Sequence, residues 1–227
     1  MISLNLKIIL LTLKIATIST LLVTIVSVLL VWLLDRNNSK LKNIFEMLIN
    51  LSLFISPSVL GYILILILGK RGVVGAILYK YFDISVIFSW WAGIITAFIV
   101  TLPLMYNSVK TGMASLNPVY FEAGREAGAS EFQILRLITL PLIKRNILAG
   151  MVLSFGRAMG EFGATLMLAG NIPGRTQTIS MVIYSASESG DTKTANFFLV
   201  IILLISFIIM MIYNYLFKKE RDNIWKK

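Results

Sequence analysis

The chain has 227 residues, 57% of them hydrophobic and only 14% charged, whereas a soluble domain carries about 25% charged residues. With no Cys and no His, it is barred from disulfide scaffolds, thiolate or imidazole metal sites, cysteine nucleophiles and histidine acid–base chemistry. A net charge of +10 in so apolar a chain points to the basic loops of an integral membrane protein rather than to nucleic acid.

Five stretches are long enough to cross a bilayer, which takes about 20 mostly apolar residues. Residues 15–34 hold 20 uncharged positions, with Lys7 and Lys14 upstream on the same predicted helix. This run is too long for a signal peptide and no small-x-small cleavage site follows, so it is read as a retained anchor. Residues 47–69 hold 23 uncharged positions, 84–109 hold 26, and 194–217 hold 24. The remaining stretch, 147–169, is interrupted by Arg157 and Glu161. Trp90, Trp91, Tyr213, Tyr215 and Trp225 fall near span ends and read as interfacial anchors. The basic tail, Lys218 to Lys227, can lie on anionic lipid. No repeat, low-complexity tract or soluble domain is visible, so residues 1–227 read as one all-α, polytopic membrane helix bundle.

Loop 35–46, segment 107–146 and the tail carry thirteen Lys and Arg, against seven in the alternate segments. The positive-inside rule places the first set in the cytoplasm. With five spans the N-terminus is outside and the C-terminus cytoplasmic. A sixth, short or re-entrant element would bring both termini inside.

The cytoplasmic segment has its own local grammar. Asn117-Pro118 is a helix start, Asn as cap and Pro at the first helical position. The helix from Val119 ends at Gly128, which takes the left-handed conformation at little cost. Ser130-Glu131-Phe132-Gln133 is a capping box for a second helix, with Phe132, Leu135 and Ile138 near one face and Pro141 interrupting its end. A bent helical pair either lies on the membrane as a link or serves as a knob for a partner's groove.

In the charged span, Arg157 and Glu161 are four apart and meet on one helical face. Each charge alone in the bilayer is costly, so the pair faces protein or water. Gly156-x-x-x-Gly160, with Gly163 and Ala164, is a small-residue face for close helix contact. A buried ion pair that fixes packing and an element of a translocation path or gate are both open. A permeating oxyanion would be drawn to Arg157 and repelled by Glu161. Thr165 lies one turn further with a hydroxyl for such a path. Beyond Gly170, Asn171-Ile172-Pro173-Gly174-Arg175 forms an outer turn, with Arg175 either a solvated charge or near a docking donor protein.

Two motifs resemble known sequences. Glu122-Ala123-Gly124, three residues, Gly128, nine residues, Ile138-x-Leu140-Pro141 is similar to the EAA loop of ATP-binding-cassette importer permeases, E-A-A-x3-G-x9-I-x-L-P. Gly124 replaces the second Ala and keeps the small side chain. Residues 156–178, from Gly156-Arg157-Ala158 through Glu161-Phe162-Gly163-Ala164-Thr165 to Asn171-Ile172-Pro173-Gly174 and Thr176-Gln177-Thr178, resemble molybdate, tungstate and sulfate permeases of that superfamily. By length the chain is most like the molybdate permeases. The similarity covers most of residues 100–215, while the first two spans match only in hydropathy.

The resemblance implies a type I importer permease that conducts an oxyanion. It implies that Glu122, Ala123, Gly124, Gly128, Ala129, Ser130, Ile138, Leu140 and Pro141 couple to an ATPase within segment 117–141. Within it, Arg157, Glu161 and Thr165 remain the candidates for the path or gate, and Asn171 and Arg175 for the outer loop. The implied partners are a second copy in a homodimer, two ATP-binding-cassette ATPase subunits, an extracytoplasmic oxyanion-binding protein and the lipid of the cell membrane. ATP and Mg are then held by the ATPase partner, and no cofactor or metal by this chain. The chain itself has no G-x-x-x-x-G-K-[ST] phosphate loop and no catalytic constellation. An ion-coupled secondary transporter would carry buried acids in several spans, and Glu161 is the one clear mid-span acid. A structural protein would account for the glycine face but not for the cytoplasmic motif.

Overall fold

The computed structural model describes the backbone over residues 2–35 and 40–224 and side chains over 4–34 and 42–214. Arg36 and residues 225–227, with Trp225, lie outside these described residues, as do the side chains of Lys40, Tyr215 and the tail from Lys218. The helices are α1 Ile2–Asp35, α2 Lys40–Leu51, α3 Pro57–Leu68, α4 Val73–Phe82, α5 Trp90–Ala114 and α6 Val119–Glu126. They continue with α7 Glu131–Ile134, a π turn Leu135–Thr139, α8 Leu140–Met159, α9 Gly163–Ala169, α10 Ile179–Glu188 and α11 Thr192–Ile224. No strand occurs among the described residues.

Among the described residues, four helices are long and apolar enough to span: Leu4–Leu34, Trp90–Ala114, Glu131–Met159 and Thr192–Asn214. The pair Pro57–Leu68 and Val73–Phe82, bent by 46°, forms either a broken fifth span or a re-entrant loop. Against the five expected spans there are four, or five with the bent pair counted as one, and the stretches 47–69 and 147–169 depart most from their expected bounds.

The stretch 47–69 is not one helix. It breaks after Leu51, because Pro57 forces Ser56 into an extended conformation (φ −61°, ψ 144°) and Ser56 then caps α3. Hydropathy runs unbroken across this point, since no charge marks it. The stretch 147–169 also shifts. Its spanning helix starts at Glu131, passes through Pro141 and stops at Met159. Pro141 lacks an N–H and its ring would meet the Leu137 carbonyl. The π turn just before it widens the helix, with Leu140 N–H donating to Leu135 and Thr139 Oγ1 to the Ile134 carbonyl at 3.3 Å. Pro141 therefore bends the hydrogen-bond register without ending the helix. The segment outside the spans shortens from 107–146 to 115–130.

α1 packs along α5 and α8, α5 also packs on α9, and α3 lies against α9. The buried side of α1 carries Thr12, Ser19, Thr20 and Ser27 among Ile15, Ala16, Val23 and Val31. Small hydroxyl residues let helices approach closely where lipid supplies no hydrophobic drive. The opposite side of α1 exposes Leu10, Leu21, Ile25 and Leu33, and α11 exposes Leu203, Leu204 and Phe207. These apolar faces suit lipid or another spanning chain.

Candidate functional site

At one end of α1, segment 115–141 forms a compact knob. Asn117 Oδ1 accepts from Val119 N–H at 3.0 Å and opens α6. Gly128 adopts φ +78°, Gly128 N–H donates to the Arg125 carbonyl at 2.9 Å, and Ala129 N–H donates to Gly124 at 3.0 Å. That pair of bonds is a Schellman closure. Ser130 follows at once with a complete capping box, its N–H donating to Gln133 Oε1 at 2.7 Å. Arg125 Nε lies 2.9 Å from Glu131 Oε1 and ties α6 to α7.

Gly124 explains the close seat of α6. A Cβ there would stand 3.0 Å from Ile138 Cδ1 and 3.1 Å from Ile134 Cγ1. The packing face of the second helix is Ile134, Leu135 and Ile138. Phe132 was expected beside Leu135 and Ile138 but is 58% exposed, because it precedes the turn that points this face at α6. Glu122, Ala123, Gly128, Ser130 and Pro141 are exposed, Ala129, Ile138 and Leu140 partly buried, and Gly124 buried. Val119 and Tyr120 are also exposed, and this apolar pair went unnoticed in the sequence. A cavity of about 180 Å³ separates the knob from α1, lined by Trp32, Phe121, Glu122, Arg125, Glu131 and Leu135.

A second constellation lies where two chain breaks meet. α3 and α9 touch through their backbones: a Cβ on Gly61 would lie 2.8 Å from Ala164 Cα. Likewise, one on Gly163 would lie 2.9 Å from Ser58 Oγ. The break before α3 therefore faces the break at 160–162. Arg157 Nη1 reaches Glu161 Oε2 at 2.8 Å, as their spacing predicts. Glu161 is not on the same helix, however, since α8 ends at Met159. Its other oxygen accepts from Ala164 N–H at 2.9 Å and caps α9. The carboxylate is 2% exposed and the Arg157 side chain 35% exposed.

Arg157 lines a cavity of about 190 Å³ with Ser52, Ile55, Pro57, Leu60 and Leu104. Backbone breaks at membrane depth are tolerated where they are buried in protein or line water. Gly156 and Gly160 were expected to hold a neighbouring helix, yet a Cβ on Gly156 would meet nothing within 4 Å. The close contacts fall on Gly163 and Ala164, the other members of the expected small-residue face, so the face beside Arg157 is open within this chain. Thr165 is buried, and its Oγ1 lies 2.7 Å from Thr96 Oγ1 on α5.

The outer turn is locked by Thr176. Its hydroxyl accepts from Ile172 N–H at 3.0 Å and donates to the Gly170 carbonyl at 2.9 Å. Asn171 is half-buried and Arg175 exposed. Ile179 N–H donates to Thr12 Oγ1, which fixes this loop to the opposite end of α1 from the knob.

Residues 25–222 match the family described as the inner membrane component of binding-protein-dependent transport systems. The chain belongs to that family. It is 44% identical to the permease protein YvgM of Bacillus subtilis over 169 residues, 74% of each chain. It is 32% identical to the molybdenum transport system permease protein ModB of Escherichia coli over 215 residues, 94% of each. The sulfate transport system permease protein CysW of Synechocystis is 33% identical over 202 residues, 89% of this chain and 73% of that one. Among solved structures, a bacterial ABC transporter for alginate import matches with TM-score 0.78 at 20% identity, covering 95% of this chain and 79% of that chain. The MetNI methionine ABC transporter, facing inward, matches with TM-score 0.73 at 16% identity, covering 95% of both chains. The permease is therefore a multi-pass membrane transport component with the fold of these importers.

One tie in the permease was not found from sequence. Glu46 on α2 accepts from Lys110 Nζ at 2.7 Å and from Tyr106 at 3.0 Å, and Asn107 donates to Asn50 at 2.7 Å. These bonds strap α2 to α5 beside the α2–α3 break. The Lys110 ammonium holds the Glu46 carboxyl below its ordinary value, with help from Tyr106 and Lys42 and against partial burial. The partners are 57 to 64 positions apart, and only the amphipathic pattern of 40–51 hinted that α2 has an inner face.

Proposed function

We propose that the chain is the permease subunit of an ATP-driven molybdate importer. The observation that carries this reading is its 32% identity to Escherichia coli ModB across 94% of both chains. In this reading two copies face each other around a central path. Two ATP-binding-cassette ATPase subunits take the α6–α7 knob in their grooves, and an extracytoplasmic binding protein delivers the anion near Asn171 and Arg175. ATP and Mg stay on the ATPases, and this chain does no chemistry of its own. The charge bias then places the N-terminus outside and the C-terminus in the cytoplasm.

The geometry supplies a mechanical route for this role. α7, the π turn and α8 form a continuous 29-residue helix, about 43 Å at 1.5 Å per residue. It begins in the knob and ends two residues after Arg157. A displacement of the knob by closing ATPases would travel along it to the Arg157–Glu161 junction, where the helix is already broken. Glu122, Ala123, Gly128 and Ser130 present the knob's outer surface, while Gly124, Ile138, Leu140 and Pro141 seat it on the span. Arg157 is the gate cation that meets the oxyanion. Glu161, just past the end of α8, orients it, with its own charge occupied by the guanidinium and by Ala164 N–H. Thr165 pins α9 to α5.

The test is purification of the tagged permease from its native membrane in mild detergent. An ATPase should co-purify at about one per permease and be lost from the Glu122→Arg variant. In proteoliposomes, molybdate-loaded binding protein should then raise ATP hydrolysis. A permease that purifies alone would overturn the importer reading. A sulfate reading draws on the 33% identity to CysW. Stimulation by sulfate-loaded but not molybdate-loaded binding protein would decide for it.

A further inference from the structure

Lys7 and Lys14 lie two turns apart on α1, and Arg175 reaches them from the outer turn. With Gln177, Ile8 and Leu10 they line a cavity of about 250 Å³. Among the described residues, no carboxylate pairs with Lys7, Lys14 or Arg175. All three are exposed, at the end of α1 that sits by the outer turn.

The depth of this recess can be read from its neighbours. The Lys14 ammonium sits 3.6 Å from the centre of the Trp90 ring. Trp90 opens the spanning helix α5, and such rings mark the membrane–water boundary. Lys7 stands about 10 Å further out at 1.5 Å per residue. The interval between them spans the polar headgroup layer, roughly 5–8 Å deep on each side of the hydrocarbon, with Lys7 at its aqueous edge.

The same side of α1 continues as an apolar track. At about 100° per residue, Lys7, Leu10, Lys14, Leu21 and Ile25 fall within a sector of about 60°. Leu10, Leu21 and Ile25 are each at least half exposed. Cations at the outer end, with Leu21 and Ile25 below Lys14, match an amphiphile. A free oxyanion would use the three cations but gain nothing from Ile8 and Leu10.

We propose that Lys7, Lys14 and Arg175 hold the phosphate of a membrane phospholipid, whose acyl chain runs below Lys14 along Leu21 and Ile25. The lipid belongs to the leaflet opposite the α6–α7 knob and clasps the outer turn to α1. This site is independent of which anion is transported.

The test is native mass spectrometry of the whole transporter, released from nanodiscs of dioleoyl phosphatidylglycerol into mild detergent. Wild type should retain phospholipid. Each of Lys7→Gln, Lys14→Gln and Arg175→Gln should lower occupancy about fivefold, the effect of about 1 kcal/mol per interfacial cation. Lys193→Gln, a cation elsewhere on the same side, should change nothing. The charge-keeping pair Lys7→Arg with Lys14→Arg should retain lipid even where a neutral variant inserts poorly. Wild-type lipid occupancy in the Lys7→Gln and Arg175→Gln variants would overturn the proposal. So would a tungstate adduct that displaces phospholipid from wild type and is lost in Arg175→Gln, which would make this a free-oxyanion site.

Discussion

Glu161 Oε2 lies 2.8 Å from Arg157 Nη1, although helix α8 has ended at Met159 before Glu161 begins. The acid spends one oxygen on the guanidinium of α8 and the other on Ala164 N–H of α9. It is thus a joint between two helices and not a rung within one.

This joint makes the two single substitutions unequal. Arg157→Leu strands a carboxylate that is 2% exposed, and breaking such a pair costs about 3–5 kcal/mol. Glu161→Leu leaves a guanidinium that is a third exposed to its cavity, so its cost is discounted by solvent, though it also loses the α9 cap. Arg157→Leu is therefore expected to be the worse single change. Adding Glu161→Gln to it should restore stability, because the amide oxygen still accepts from Ala164 N–H. Thermal midpoints of the detergent-solubilised transporter report this directly. A double variant no more stable than Arg157→Leu would show that the pair is not a structural unit.

The α3–α9 contact predicts an asymmetry among glycines. A Cβ on Gly61 meets the Ala164 backbone at 2.8 Å, so α3 must move away, at about 1–3 kcal/mol for overpacking. Gly61→Ala should lower the thermal midpoint and the yield of folded protein. Gly156→Ala meets nothing within 4 Å and should leave the midpoint of the single chain unchanged. If Gly156→Ala nevertheless abolishes assembly, the open face beside Arg157 is where the second copy packs. Equal midpoints for Gly61→Ala and wild type would contradict the close approach.

What could be read from the sequence was local. The Ser130–Gln133 box, the Gly128 bend and the Arg157–Glu161 contact each depend on residues at most five apart, and all three are present. The breaks at 52–56 and 160–162 were hidden, because hydropathy measures polarity and both breaks are made of apolar or neutral residues and one carboxylate already accounted for. Pro141 misled for the opposite reason. Its local rule says stop, but a π turn one residue upstream absorbs the missing bond. Thr96 with Thr165, and Glu46 with Lys110, join residues 64 to 69 positions apart, which no periodicity announces.

The Glu46 strap carries a pH signature. The Glu46 pKa is lowered from 4.5, chiefly by the hydrogen bond from Lys110. A carboxyl with a depressed folded value stabilises fully above its unfolded value and loses that contribution as pH falls through the folded one. Wild type and Glu46→Gln should therefore differ in thermal midpoint from pH 7 down to about 4.5, and converge below it. Lys110→Met should remove most of the difference at neutral pH. A gap between wild type and Glu46→Gln that stays constant to pH 3 would mean that the strap acts through shape and not charge.

Gly128 separates conformation from contact. A Cβ there would meet nothing within 4 Å, so space is not the constraint. The constraint is φ +78°, which costs an L residue about 1–2 kcal/mol and a β-branched one the most. Gly128→Val should open the Schellman closure, free Ala129 N–H from Gly124 and swing α6 off Ile134 and Ile138. The spans begin at Glu131 and end at Ala114, so insertion into the membrane should be unaffected. ATP hydrolysis by the assembled transporter should continue while anion uptake falls at least tenfold, since the knob no longer moves rigidly with α7 and α8. Gly128→Asn, a residue that tolerates the left-handed region, should retain most of the uptake. Wild-type uptake by Gly128→Val in proteoliposomes would refute the lever.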